Sequence, residues 1–314
     1  MSAERGRGDV FGVVAQARLM LVLTTLFWGG NAVAGKFAVG EVSPFVLTFL
    51  RWVLAAAIVV LLARPHLRRD WPVIRSRLPY LAAMGAMGFT VFAGLLYYGL
   101  VTTTAINATI IQAAMPMFIF VLNFVIFRTA TTKLQALGYS LTLLGVALAA
   151  GRGDLLSLLA LDFDRGDLLI ILAAVTYAGY SVALREKPAI HWLSFLTVLF
   201  VTGALASLPV VAFEMAVGAA IWPRTATAWT VIAFVTIFPS LLAQAFFIRG
   251  NEVLGSNAAG LFLNLIPIMG ALLSIMLLGE RFQLFHAASL ALVLGGIALA
   301  QRRRTSGSIS AKRS

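Results

Sequence analysis

Ten apolar runs, each close to twenty residues long and parted by short polar connections, leave this chain few folds to choose from. A bilayer core about 30 Å thick takes roughly 20 helical residues. Read between charges and turn residues, the runs fall at about 18–38, 43–63, 79–100, 104–127, 134–150, 167–184, 193–215, 227–248, 256–278 and 284–301. Composition agrees: 61% of the 314 residues are hydrophobic and 11% charged, against about 45–50% and 25% in soluble domains. The expected fold class is all-α integral membrane, with ten transmembrane helices.

The net charge of +12 does not indicate a nucleic-acid partner, because the basic residues sit in short blocks between apolar runs, where they act as topology signals. An even number of spans returns both termini to one side. Eighteen Lys and Arg then lie on the terminal side, five (Lys36, Arg152, Arg165, Arg224, Arg281) on the other, and Arg51 within a span. That bias predicts cytoplasmic termini. With no cysteine, disulfides, zinc thiolates and CxxC redox chemistry are excluded. His66, His191 and His286 form no spaced ligand set, and no cofactor or metal is expected. The RGD at 152–154 is a chance match in a short loop. Arg18, the run 19–28 and Ala32–Ala34 mimic a secretory signal, but the second half of the chain has an equivalent helix, so the first is expected to be retained.

Shifted by 151 residues, the halves match without gaps over 30 positions: Pro116 meets Pro267, Ala136 meets Ala287, and Gly145–Ala149 meets Gly296–Ala300. A shift of 149 lays Trp28 on Tyr177, Asn31 on Tyr180 and Lys36 on Arg185. Each half holds five spans, an odd number, so the copies must enter the membrane in opposite senses. The chain divides into a tail at 1–16, a first repeat at 17–150, an outer loop at 151–165, a second repeat at 166–301 and a basic tail at 302–314. Inverted repeats are a construction of secondary transporters, with the substrate site near the midplane between the copies. The expected architecture is two inverted five-helix repeats around a central cavity.

Trp28 stands about 15 Å along its helix from Arg18, close to the midplane, and shares a face with Asn31. Tyr177 and Tyr180 repeat that arrangement from the other side. Asn264, Gln112, Gln244, Thr90 and the Tyr97–Tyr98 pair complete the polar groups within spans. Such groups are costly in lipid unless paired or facing a wet cavity. Gln112 and Thr90 read singly as helix–helix glue, whereas Trp28, Asn31, Tyr177, Tyr180 and Asn264 read together as a cavity lining. Aromatic faces with amides suit a small neutral or zwitterionic solute with an apolar part. Pro116 and Pro267, deep in their helices, are expected to kink them. Arg51, about eight residues into the second span, is expected to snorkel outward or cap a carbonyl, with contact to a substrate carboxylate as the alternative. Glu214 and Glu280 fall near helix ends. No acid lies at mid-depth on the spans carrying the polar set, which favours gradient-driven movement over carboxylate-based proton antiport.

The motifs FWGGNAVAGKFA (27–38) and SPFVLTFLRWVLAA (43–56), the endings AMPMFIFVLNFVIF (114–127) and LIPIMGALLSIMLLGERF (265–282), and the run LGGIALA after the latter give the chain a family likeness. Over about residues 17–301 it resembles the EamA-type transporters of the drug/metabolite transporter superfamily. The resemblance implies a ten-helix, two-repeat basket and an inner-membrane exporter of aromatic or neutral amino acids, working as a monomer or weak dimer. One departure is that Arg128-Thr129 stands where the second copy has Gly279-Glu280. Residues 19–35 carry no carboxylate, unlike the first helix of the small multidrug relatives. Export of another solute, or a non-transporting membrane receptor or enzyme, remain the competing readings. Against an enzyme, the only acidic cluster is the outer loop at 154–167, and no nucleophile–base pair is evident.

Overall fold

In lipid every backbone N–H and C=O must be satisfied within the chain, so apolar spans of this length form helices. The computed structural model describes residues 2–128, 132–154 and 164–301, with side chains from Gly12 onward except those of Ser256 and Asn257. The basic tail at 302–314 and residues 155–163 of the outer loop lie outside the described residues. Ten helices are long and apolar enough to cross a membrane: α1 Gly12–Phe37, α2 Pro44–Ser76, α3 Leu78–Thr102, α4 Ala105–Phe127, α5 Lys133–Ala150, α6 Arg165–Glu186, α7 Trp192–Ala216, α8 Ala226–Leu254, α9 Ala258–Leu278 and α10 Leu284–Gln301. Helices α2 and α8 overrun their predicted ends by about thirteen and six residues, both on the side of the termini, and the helical run of α1 begins as early as Ser2. Arginines such as Arg18 and Arg64 mark where a helix leaves lipid but do not stop it. Helix α2 continues through Pro65 and Pro72, keeping Asp70 and Ile74 buried. Helix α8 ends only at Gly255, whose φ of 82° suits a residue without a Cβ.

The packing follows the internal repeat. Helix α2 lies against α7 and α5 against α10, so each packs on its own counterpart. Helix α1 packs on α8 and α9, while α6 packs on α3 and α4, the equivalent pairs in the other copy. This is the contact pattern of two five-helix copies related by a two-fold axis, and five spans per copy make the relation an inverted one. Small residues bring the helices close. At the α5–α10 contact, a Cβ on Gly296 would lie only 2.4 Å from the carbonyl oxygen of Gly138.

Irregularities repeat as well. Wide π-helical turns interrupt α3 at Ala86–Val91 and α8 at Thr236–Leu242, about 150 residues apart. Pro239, with no N–H to donate, accounts for the second. Helix α4 breaks at Ala114, and its second segment starts at Met115 with Pro116 in the first turn. Helix α9 tightens to a 3₁₀ turn at Leu263–Leu265 and resumes at Ile266 with Pro267 in its first turn.

Candidate functional site

The two broken helices meet at one level. Gly29 of α1 lies so close to α9 that a Cβ there would be 2.7 Å from the amide nitrogen of Gly270. Gly270 is pressed equally hard against Thr109 of α4. On the loop side of this crossing α4 is sealed: Ala105 through Ile111 are all buried. On the terminal side Met115–Phe127 buries only Met117 and packs mainly on α6, while the first turns of α9 pack on α8. Among the described residues these two diverging segments share no sustained packing. On the terminal side the two segments therefore splay apart. Trp28, Gln112, Tyr177, Gln244 and Asn264 are half-buried. Trp28 donates its indole N–H to the carbonyl of Pro239 at 3.0 Å, using a backbone acceptor in the π turn of α8. Tyr177 and Tyr180 stand 5.5 Å apart between ring centroids, and Tyr177 also packs on Phe92. The side chains of Gln244 and Asn264 have no hydrogen-bond partner among the described residues.

Towards the loop side lies a second feature, centred on Arg51. Its guanidinium is buried, with only 6% of the residue exposed. Nε donates to the Ser240 hydroxyl at 2.7 Å, and Nη1 to the Tyr97 hydroxyl at 2.6 Å and Asn31 Oδ1 at 3.1 Å. Tyr97 in turn donates to the same Asn31 oxygen at 3.1 Å. Trp52 lies under the guanidinium at 4.3 Å. The expectation that Arg51 snorkels outward or caps a carbonyl is thus corrected. Four side chains from α1, α2, α3 and α8 hold it inside, because three neutral oxygens and an indole face lie within reach of its fork. Each such bond in a membrane is worth only about 0.6 kcal/mol on average, whereas placing an arginine at mid-helix costs about 2.5–3.5 kcal/mol on insertion scales. No carboxylate pairs with Arg51 among the described residues. Tyr97 also lines a cavity of about 200 Å³, together with Gly35, Ser43, Leu47, Tyr98 and Ile221, on the loop side of this layer.

A third group of contacts closes the loop side. The corner between α3 and α4, residues 102–106, is held from both copies. Lys36 donates to the carbonyls of Leu100 and Thr103 at 2.9 and 2.7 Å. Both oxygens of Glu280 accept from the first amides of α4, Ala105 at 2.8 Å and Ile106 at 3.0 Å. Thr103 donates to the buried carboxylate of Asp167, and Thr102 donates to Asp164 at 2.7 Å. A carboxylate at a helix N-terminus satisfies amides that have no intrahelical acceptor and meets the positive end of the helix dipole. The polar groups that clamp this corner are therefore charged, and they come from both repeats.

Both halves of the chain, residues 16–151 and 164–301, match the EamA-like transporter family. The chain belongs to the EamA-like transporter family. Among its relatives are two Bacillus subtilis proteins, "Uncharacterized transporter YyaM", 28% identical over 89% of this chain and 91% of that one, and "Uncharacterized transporter YetK", 26% identical over 86% and 82%. An "Uncharacterized transporter" of Archaeoglobus fulgidus is 25% identical over 91% of this chain and 99% of that one. A solved crystal structure shares the fold with a TM-score of 0.61 at 21% identity, over 92% of this chain and 97% of that one. This EamA-like protein is a multi-pass membrane transporter and not an enzyme, which removes the competing receptor and enzyme readings.

Within this EamA-like fold the polar set picked from sequence separates into parts. Asn31, Arg51 and Tyr97 come together, with Ser240 added. Tyr177 and Tyr180 pair with each other. Thr90 turns away to α7, donating to the carbonyl of Gly203 at 2.5 Å. Gln112 bonds to Ala108 in its own helix at 3.1 Å. Tyr98 points to the other face of α3 from Tyr97, as consecutive helical residues do, and donates to Glu214 at 2.7 Å. Glu214 is buried and also accepts from the Ser43 hydroxyl at 2.8 Å. Sequence reasoning missed Ser240, Trp52 and the Lys36–Glu280–Asp167 clamp. Their signal was present in part: Lys36, Asp167 and Glu280 are charges at span ends, but nothing in one dimension shows that they converge on a single corner.

Proposed function

We propose that the protein is a secondary transporter exporting small metabolites, aromatic and neutral amino acids in particular, by alternating access across a bacterial inner membrane with both termini cytoplasmic. The observation that carries this reading is the difference between the two ends of the inverted copies: the α3–α4 clamp ties the loop side together, while α4 and α9 splay apart on the terminal side, and the reading takes that splayed end as the mouth of a cleft. In a transporter built this way the two copies rock about a central site. With positive-inside topology the open side is the cytoplasm, the side from which an exporter loads. Trp28, Asn31, Tyr177, Tyr180 and Asn264 supply aromatic faces and amide groups at mid-depth, which suits a solute with one apolar and one polar end. The breaks at Pro116 and Pro267 make room for the cleft and serve as bends rather than hinges.

The test is solute flux in proteoliposomes containing the purified protein, scanned over a panel of amino acids with empty vesicles as control. Movement of aromatic or neutral amino acids above control supports the reading. A panel that stays at control rates while other small solutes cross would reassign the substrate, and a protein that leaves every gradient untouched would end the proposal.

A further inference from the structure

The buried cation at Arg51 is more than its hydrogen bonds require. Ser240, Asn31 and Tyr97 could be satisfied by a neutral amide at this position, yet the chain places a full positive charge there with no carboxylate in contact among the described residues. A buried charge with no ion of opposite sign beside it is strongly unfavourable, and a charge kept within a membrane span at that cost marks a functional site. Nη2 takes part in none of the three side-chain bonds, which use Nε and Nη1. The acids nearest the outer end are engaged elsewhere: Glu214 by Ser43, Phe45 and Tyr98, Asp167 by Thr103 and Asn107, Glu280 by the start of α4.

Arg51 is buried, and its partners lie towards both ends of the fold. Asn31 is one helical turn from Trp28, which the transporter reading sets beside the cleft, and Tyr97 lines the cavity on the loop side. An alternating-access site must sit in such a dividing layer. A wall of aromatic rings, buried in the core in this conformation, runs inward from it: Trp52 lies under the guanidinium and stacks on Phe200 at 5.4 Å. Trp52 also meets Phe89 at 4.9 Å, Phe89 meets Tyr180 at 5.8 Å, and Tyr180 meets Tyr177.

We propose that Arg51 is the anion subsite of the transported solute: it receives the solute's carboxylate, while the aromatic wall takes the apolar part. This rests on the transporter reading above and sharpens it. The layer offers a cation and neutral oxygens but no acid, so the carboxylate is required and an ammonium group is dispensable. Nη2 is the donor left for the carboxylate, and a charge-assisted hydrogen bond from the guanidinium favours an anion over a neutral primary amide.

The test uses the full-length protein and four probes: L-phenylalanine, L-phenylalaninamide, 3-phenylpropanoate and 3-phenylpropanamide. Binding is read in detergent by tryptophan fluorescence, to which Trp52 reports, and flux is read in proteoliposomes. The two acids are expected to bind at least about tenfold more tightly than their amides, as in sites built around a buried hydrogen-bonding group. Loss of the ammonium in 3-phenylpropanoate should change binding far less. Equal binding of acids and amides by the wild-type protein overturns the proposal, as does saturation by chloride alone with no added effect of carboxylate. Arg51→Gln should abolish the acid–amide difference and Arg51→Lys keep its sign. An Arg51→Gln variant that still unfolds cooperatively and still prefers acids also overturns it, and the wild-type series stands if that variant does not fold. Flux of all four probes alike removes the anion subsite and leaves the transporter. Titration by 3-phenylpropanoate with no flux of any probe removes the aromatic amino-acid transport reading and leaves the subsite, and absence of both removes both.

Discussion

Removing the Glu280 carboxylate should open the loop side of the cleft. In the closed arrangement its two oxygens take the amides of Ala105 and Ile106 at 2.8 and 3.0 Å, tying the α9–α10 corner of one copy to the start of α4 in the other. Hydrogen bonds to a charged group contribute about 1.5–3 kcal/mol each, and a carboxylate at a helix N-terminus adds about 0.3–1 kcal/mol. Glu280 is only half-buried, so water replaces much of what is lost in Glu280→Ala. A net cost of about 2 kcal/mol to the closed state remains, which is about a thirtyfold change in the ratio of open to closed forms. The native chain has no cysteine, so a single cysteine at Thr109, 1% exposed at the crossing of α4 and α9, reports opening without background. Its modification by a membrane-impermeant maleimide, added on the loop side of sealed vesicles, should speed up about thirtyfold in Glu280→Ala and by less in Glu280→Gln, which keeps one acceptor. An unchanged rate in a Glu280→Ala variant that keeps its melting temperature would refute the clamp.

Three further outcomes follow from other parts of the molecule. Trp28→Ala and Tyr180→Ala should reduce flux more than they reduce expression or melting temperature; parallel losses would assign both to packing. Gly29→Leu should destabilise the fold by about 1–3 kcal/mol through overpacking, since even a Cβ there would lie 2.7 Å from Gly270, and an unaltered denaturation midpoint would contradict the close α1–α9 crossing. His191, stacked on His66 with ring centroids 3.6 Å apart, is held below its ordinary value of 6.5 by burial first and then by His66 and Arg69, with Asp70 pulling the other way. The unfolded chain binds that proton more tightly, so this contribution to stability is present above pH 6.5 and fades as pH falls below it; an NMR titration should place His191 below 6.5 and His66→Ala should raise it part of the way, and a midpoint that stays put or falls would refute the coupling.

The sequence by itself determined the spans and their duplication. A span is a local property: about twenty consecutive residues either have or lack the hydropathy to stay in a bilayer. The proline and Gly-x-Ala-Leu-Ala matches at a fixed shift are equally one-dimensional, and with five spans per copy the inversion follows by counting. What the sequence could not decide was which side chains meet. Arg51 illustrates this: its distance into the second span suggested snorkelling, yet its partners Asn31, Tyr97 and Ser240 come from three other helices. Tyr97 and Tyr98 are neighbours in sequence but serve an arginine and a glutamate on different sides of α3. Thr90 makes a helix–helix contact of the kind read from the sequence, but that its acceptor is the carbonyl of Gly203 on α7 is a tertiary fact. The prolines marked the breaks in α4 and α9, but the crossing at Gly29, Gly270 and Thr109 and the clamp on the α3–α4 corner arise only when the two copies pack together. Hydropathy sets which segments share the membrane with lipid; the pairing of polar groups depends on helix rotation and approach, which tertiary packing alone fixes.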